Sequence, residues 1–377
     1  MTSVLVVDDS QFMRTVIGNV VADHGYRVLS ASDGQEAIKM VHEHDPDVVT
    51  MDVEMPGMDG IEAVSRIMAS KPTPILMLSA HTEAGADATL DALSRGAVDF
   101  LAKPGGEVTP DLGSLGDRIV EKVDAVAGAD LSSIAPTTRR TAAAAGAANA
   151  NRVSSASSTD ESSTDADGSR PESDPDRAFV EHPTIVIGAS TGGPKILEGV
   201  LRALPVTLQP KVLVVQHMPA SFTDRLAARL DSFLPFDVSE ASDGQRVEDG
   251  DVVVAKGDHH LEVASNVAGN LRVRLTEGER VHGVRPAIDV TMRTAAERVS
   301  DPLVGVALTG MGSDGAVGIE AIKRAGGATI AQDEASSPVF GIPRKAIETG
   351  CVDRVASATD VPGAICDAFA QEASTYG

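Results

Sequence analysis

The chain has 377 residues, enough for two domains at roughly 100–200 residues each, and an apolar fraction of 42% excludes disorder throughout. Lys and Arg total 32 against 55 Asp and Glu, a formal charge of −23, which argues against nucleic acid or anionic lipid as a partner. No apolar run approaches the ~18 residues of a membrane span, the first residues lack a secretory-signal layout, and two cysteines make neither a disulfide framework nor a zinc site. We therefore expect a cytoplasmic protein with no direct membrane insertion.

Residues 154–177 hold seven acids and two Arg, so most of the negative charge is dispersed elsewhere. Dispersed carboxylate with no Trp and two Tyr suits a protein working in concentrated salt, where charge repulsion is screened over short distances. The expected source is a halophile.

Composition divides the chain in three. Residues 1–125 alternate short β-branched runs with helix-patterned stretches. Residues 126–180 turn to Ala, Ser, Thr, Asp and Pro without apolar periodicity, so burial cannot offset their ordering entropy and a flexible linker is expected. Residues 181–372 resume the strand and helix pattern.

In the first region the strands read SVLVVDD, YRVLSAS, DVVTMD, PILMLSA and DFLAKP. Short, nearly all-apolar runs ending in polar residues indicate parallel strands buried on both faces. The expected fold is α/β, a five-stranded parallel doubly wound domain. After Ser10, a helix is expected with Phe12, Val16, Ile17, Val20 and Val21 on its buried face and Gly25 as its stop.

Such sheets bind ligands at the carboxyl ends of their strands. There the sequence places Asp8 and Asp9, then Asp52, Ser79 and Lys103. Converging carboxylates repel unless a cation lies among them, and hard oxygen ligands suit Mg²⁺. Lys103 offers a point charge and Ser79 a hydrogen-bond donor for a phosphoryl group.

In the third region TIVIGAS, KVLVVQH, DVVVAKG, PLVGVALTGMG and GGATIAQD repeat the strand pattern, and HLEVASNVAGNLRVRLTEG reads as an antiparallel hairpin turning near Gly269-Asn270. A mainly parallel doubly wound α/β domain with an antiparallel hairpin is expected. Ser190 falls at a glycine-rich turn before a helix-patterned stretch, where backbone N–H groups favour negative charge. His217 ends the following strand, and Asp314 lies in another glycine-rich loop at a strand end. A Ser, a His and an Asp delivered to one sheet edge can act as nucleophile, general base and orienter of that base.

Other readings of this half fit poorly. Gly188 to Gly192 matches a nucleophile elbow, but α/β-hydrolases place the acid before the histidine. The glycines lack dinucleotide-binding spacing, and the next strand ends in Gln216-His217 rather than an acid. His259-His260 has no suitably spaced partner for a metal site.

VLVVDDSQFMR, MDVEMPGMDG, LSA and FLAKP resemble the response-regulator receiver domain. That resemblance implies that Asp52 accepts a phosphoryl group from a histidine kinase. It also implies that Asp8, Asp9, Asp52 and the backbone carbonyl of Glu54 hold Mg²⁺, that Ser79 and Lys103 bind the phosphoryl oxygens, and that Phe100 is the aromatic switch. GASTGGP, VVQHMP, LTGMGSDGA and VFGIPRKAI resemble the chemotaxis protein-glutamate methylesterase family. The family implies hydrolysis of γ-glutamyl methyl esters on methyl-accepting chemoreceptors and deamidation of receptor glutamines. It assigns Ser190, His217 and Asp314 as the triad, with Thr191 and Met311 near the reacting centre and no cofactor for ester hydrolysis. Ser313 and Lys256 depart from the family's usual Asn and Pro. A receiver whose second half only binds a partner, and an esterase of small molecules, are the alternatives.

Overall fold

The computed structural model describes residues 1–79, 82–103, 112–131 and 178–371. In the first domain, β1 (Ser3–Val7), β2 (Arg27–Ala31), β3 (Val48–Asp52), β4 (Ile75–Ser79) and β5 (Asp99–Ala102) form one parallel sheet in the order β2-β1-β3-β4-β5. The helices α1 (Gln11–Asp23), α2 (Gly34–His44), α3 (Gly60–Ser70), α4 (Glu83–Ser94) and α5 (Leu112–Ala127) connect and follow the strands. β1, β3 and β4 are buried at every residue, as expected of strands covered on both faces. The order reverses between β1 and β3, where the register pairs Val7 with Met51 and sets Asp8 beside Asp52. This is the crevice where doubly wound sheets take ligands.

Ser10 caps α1 by accepting the Met13 N–H, and the chain turns at Gly25 with φ 86°. The expected apolar face of α1 is narrower than its pattern. Ile17 and Val21 are buried, Val16 and Val20 are intermediate, and Phe12 is 68% exposed. Phe12 sits in the first turn, so its period matches while most of its side chain stays in solvent.

The second domain contains β6 (Thr184–Ala189), α6 (Gly193–Ala203), β7 (Lys211–Gln216), α7 (Ala220–Asp231), β8 (Asp237–Glu240), β9 (Arg246–Val247) and β10 (Asp251–Val254). It continues with β11 (His260–Val267), β12 (Asn270–Thr276), α8 (Ile288–Arg298), β13 (Leu303–Ala307), α9 (Ala316–Arg324), β14 (Ala328–Gln332), α10 (Ile342–Glu348), β15 (Arg354–Ala356) and α11 (Val361–Ala368). Seven strands form a parallel sheet in the order β15-β14-β13-β6-β7-β10-β8. Five are the runs expected from the sequence. The two additional strands, β8 and β15, are short edge strands with the mixed polarity of DVSE and RVA, too brief for a period to register.

The hairpin is present as β11 and β12, joined through Ala268 and Gly269 at φ 49° and 76°. Two left-handed residues make a tight two-residue connection, one position earlier than the sequence suggested. β9 adds a third antiparallel strand. At the amino end of β7, Lys211 is fully buried. Its Nζ donates to the carbonyls of His182 (2.9 Å) and Gly269 (2.7 Å) and pairs with Asp301 (3.1 Å) and Asp249 (3.5 Å).

The domains pack on one another. α4 lies against α7, and one apolar cluster runs from the first sheet into the second. Phe100 stacks on Phe222 with ring centroids 4.3 Å apart. α5 extends through Ala127, and Asp130 donates its backbone N–H to Pro338. Of the expected linker 126–180, residues 132–177 lie outside the described residues. Val180 donates to the carbonyl of Phe369, tying the start of the second domain to its last helix. No helix among the described residues is long and apolar enough to cross a membrane.

Candidate active site

Three adjacent strands of the second sheet deliver the candidate residues to one edge. The β13-β6-β7 order puts Ser190 beyond the middle strand, His217 beyond one neighbour and the loop carrying Asp314 beyond the other. The register pairs Ala189 with Gln216, so Ser190 and His217 are the next residues on adjacent strands.

His217 Nε2 lies 2.9 Å from Asp314 Oδ2. The same carboxylate accepts the backbone N–H of Ile288 (2.7 Å) and Asp289 (2.9 Å) at the start of α8. Burial works against its charge, but His217 and these two N–H groups outweigh it and hold the Asp314 carboxyl below the ordinary carboxylate range. Among the described residues no hydrogen bond joins Ser190 Oγ to His217.

Ser190 is 8% exposed. Its N–H donates to the Thr309 carbonyl (3.0 Å), and its own carbonyl accepts the Gln216 amide (2.8 Å). The Thr309 hydroxyl donates to the carbonyl of Thr191 (3.0 Å). Among the described residues, no acceptor within the chain takes the backbone N–H of Thr191 or Gly192. Gly310 is required where it stands: a Cβ there would sit 2.6 Å from Ser190 Cβ and 2.6 Å from Ile342 Cδ1. Gly310→Ala is expected to destabilise the second domain by about 1–3 kcal/mol through overpacking, read as a lower unfolding temperature by circular dichroism.

The first domain closes over this edge. Lys122 on α5 is paired with Asp99 and donates to Thr191 Oγ1 at 3.2 Å. A cavity of ≈ 480 Å³ between the domains is lined by Ala125 and Gly128 on one side and by Met311, Ser313, Phe340 and Arg344 on the other.

At the first domain's strand tips, Lys103 Nζ lies 2.8 Å from both Asp8 and Asp52. Burial and the nearby Asp8 raise the Asp52 carboxyl above its ordinary range despite Lys103. Burial pulls Lys103 down, yet its bonds to Asp52 and Asp8 leave it above the ordinary lysine range. Carboxylate oxygens of Asp8, Asp9 and Asp52 lie within 4.8 Å of one another, with Asp9 exposed. The Glu54 backbone N–H faces Asp52. The buried Ser79 hydroxyl donates to the Gly85 carbonyl in α4 (3.0 Å).

Two other groupings have their polar atoms engaged within the chain. His260 is buried between the Glu279 carbonyl and the Ala287 N–H, while His259 faces Gly257 and Glu277. His282, Asp289 and Asp314 also converge, but every carboxylate oxygen there already faces a backbone N–H or an imidazole. Asp289, Gln216 and Lys122 were not singled out by sequence. Asp289 opens an apolar-periodic run, which signals a helix start, but its contacts come from a distant loop.

The response regulator receiver domain model matches residues 4–109, and the CheB methylesterase model matches residues 185–365. A protein-glutamate methylesterase/protein-glutamine glutaminase of Haloarcula marismortui is 50% identical over 98% of this chain and 98% of its own. Its namesake in Halobacterium salinarum is 49% identical over 98% and 99%. Both sources are halophilic archaea, in keeping with the acidic charge. The crystal structure of the Thermotoga maritima CheB methylesterase catalytic domain is 40% identical, covers 49% of this chain and 97% of its own, and gives a TM-score of 0.47. At such identity over nearly its full length, with a receiver domain ahead of the esterase domain, the chain belongs to the protein-glutamate methylesterase/protein-glutamine glutaminase family of hydrolases.

Proposed function

We propose that the protein hydrolyses γ-methyl esters of glutamate on cytoplasmic segments of chemoreceptors, deamidates receptor glutamines, and is activated by phosphorylation of Asp52 by a chemotaxis histidine kinase. The observation that carries this reading is the His217–Asp314 pair, locked by the N-terminus of α8 on the strand beside Ser190. With Nε2 turned to Asp314, Nδ1 is the ring nitrogen left for the Ser190 proton. Ser190 Oγ attacks the ester carbonyl while His217 takes its proton. Free N–H groups at Thr191 and Gly192 are suited to the developing oxyanion. Methanol leaves with the proton from His217, and a water activated by the same imidazole releases the glutamate. For a glutamine the leaving group is ammonia. Thr191, the residue after Ser190, and Met311, in the loop that carries Asp314, would border the reacting centre.

Regulation would act on the closed arrangement. Lys122 and the Phe100–Phe222 stack join the receiver to the esterase edge, and phosphorylation would favour an open state. Residues 1–125 would act as the switch, 126–180 as the tether and 181–372 as the esterase. Asp8, Asp9, Asp52 and the Glu54 backbone carbonyl would hold Mg²⁺, and the hard, clustered oxygens fit that ion. Bound there, Mg²⁺ would neutralise charge on the phosphoryl group, with Ser79 and Lys103 binding its oxygens. Mg²⁺ at a hundred times its Kd is expected to stabilise the receiver by about 2.7 kcal/mol. Asp9→Asn, on an exposed ligand, should remove that shift in a thermal melt.

The deciding experiment is methanol release from methyl-labelled receptor membranes in high salt. Wild type and Ser190→Ala are compared with and without acetyl phosphate and Mg²⁺. Stimulated release abolished by Ser190→Ala supports the reading. Release that survives the substitution displaces Ser190, and no release from wild type sinks the esterase reading.

A further inference from the structure

Asp314 lies in a loop with glycines at three of its positions. Gly310, Gly312 and Gly315 all have positive φ, at 159°, 92° and 100°. No N-cap side chain caps α8 or α9. The two helices instead exchange carboxylates. Asp314, just before α9, accepts the first N–H groups of α8. Asp289, in the first turn of α8, accepts the N–H groups of Gly315 (2.9 Å) and Gly318 (2.7 Å) at the start of α9. Asp289 Oδ2 faces His282 Nε2 at 2.9 Å. Both carboxylates are buried, at 3% and 2% exposure, so each opposes its desolvation with the positive end of the other's helix.

We propose that Asp289 is a positioning residue for the esterase, clamping the glycine-rich loop so that Asp314 is aimed at His217. The inference rests on the triad reading above. Asp289 bonds to neither Ser190 nor His217, so it acts only through Asp314. The packing leaves little slack: a Cβ on Gly318 would sit 2.5 Å from Met292 Cβ, and one on Gly315 3.0 Å from Ile288 Cγ2. An ordinary cap would contribute about 1 kcal/mol of stability and nothing to rate. A clamp on the orienting acid affects rate far more, because misplacement by about 1 Å can cost ~10²-fold.

The test uses the full chain with acetyl phosphate and Mg²⁺. It measures kcat and KM for methanol release, and the rate at which a small fluorophosphonate labels Ser190. Asp289→Ala is expected to lower kcat and labelling together by about 100-fold with KM within about 2-fold. Asp289→Asn should recover to within about 5-fold, since its Oδ1 still accepts from Gly315 and Gly318 and its amide can donate to neutral His282. A folded Asp289→Ala with wild-type kcat overturns the clamp. So do equal losses in the Ala and Asn variants, or a loss confined to KM. If Asp289→Ala does not fold, Asp289→Glu takes its place. Its extra methylene pushes the loop outward, and about a 10-fold lower kcat is expected; wild-type kcat there overturns the proposal. Failure of the triad reading is separate, since Ser190→Ala would then retain release whatever Asp289 does.

Discussion

Asp314→Asn should lower phosphodonor-stimulated methanol release by about 10⁴-fold, the scale seen when a triad acid becomes an amide. The geometry gives the reason. Both carboxylate oxygens are committed, Oδ1 to the Asp289 N–H and Oδ2 to the Ile288 N–H and His217. An amide has one oxygen, so its NH₂ must face either the Asp289 N–H alone or the Ile288 N–H and His217 together. Facing His217, it donates to Nε2 and forces the ring proton onto Nδ1, the nitrogen needed to take the Ser190 proton. In either orientation one buried backbone N–H is left unpaired, at about 1–3 kcal/mol. Initial rates measured beside a thermal melt separate the two costs. A folded Asp314→Asn with near-wild-type release would remove Asp314 from the mechanism. The acid stability profile should change as well. The Asp314 carboxyl is held below the ordinary carboxylate range, so its contribution is present above that range and lost as pH falls through the lowered folded value. The Asn variant should lack that component.

The second large effect is a gain. Deleting residues 1 to about 180 should raise basal release in the absence of phosphodonor by at least about 10-fold, and by about 100-fold if the closed state holds 99% of molecules. The closed arrangement has physical content to lose: Phe222 is fully buried with Phe100 stacked on it, and Lys122 reaches Thr191, the residue after Ser190. A folded truncated enzyme as slow as the unphosphorylated full chain would refute inhibition by docking. Lys122→Ala, which removes one contact and leaves the aromatic stack, should give a smaller rise in the same assay.

Much of this molecule could be read before its structure. Buried parallel strands are continuous apolar runs, so their ends, and the acids, Ser190 and His217 placed there, follow directly from the chain. Asp314 was legible because glycines mark its loop. What stayed hidden has a common physical origin in long-range contact. Asp289 gains its place from Gly315 and Gly318, more than twenty residues away. Lys122 gains its place from Thr191 in another domain. Phe12 fits the helical period but stays 68% exposed, and β8 and β15 exist because an edge was available to pair with.

Lys211 has a consequence for a protein of this charge. Several ion pairs among the described residues join exposed side chains, such as Lys345–Glu348 and Arg246–Glu248, and dissolved ions weaken such pairs. Counter-ions cannot approach the Lys211 ammonium, which has no exposed surface. It joins His182, two residues before β6, the hairpin turn and the α8–β13 connection at the end of the sheet opposite the edge that carries Ser190 and His217. Brine therefore sorts the molecule's electrostatics by depth, leaving the foundation of the esterase sheet tied while its surface network slackens.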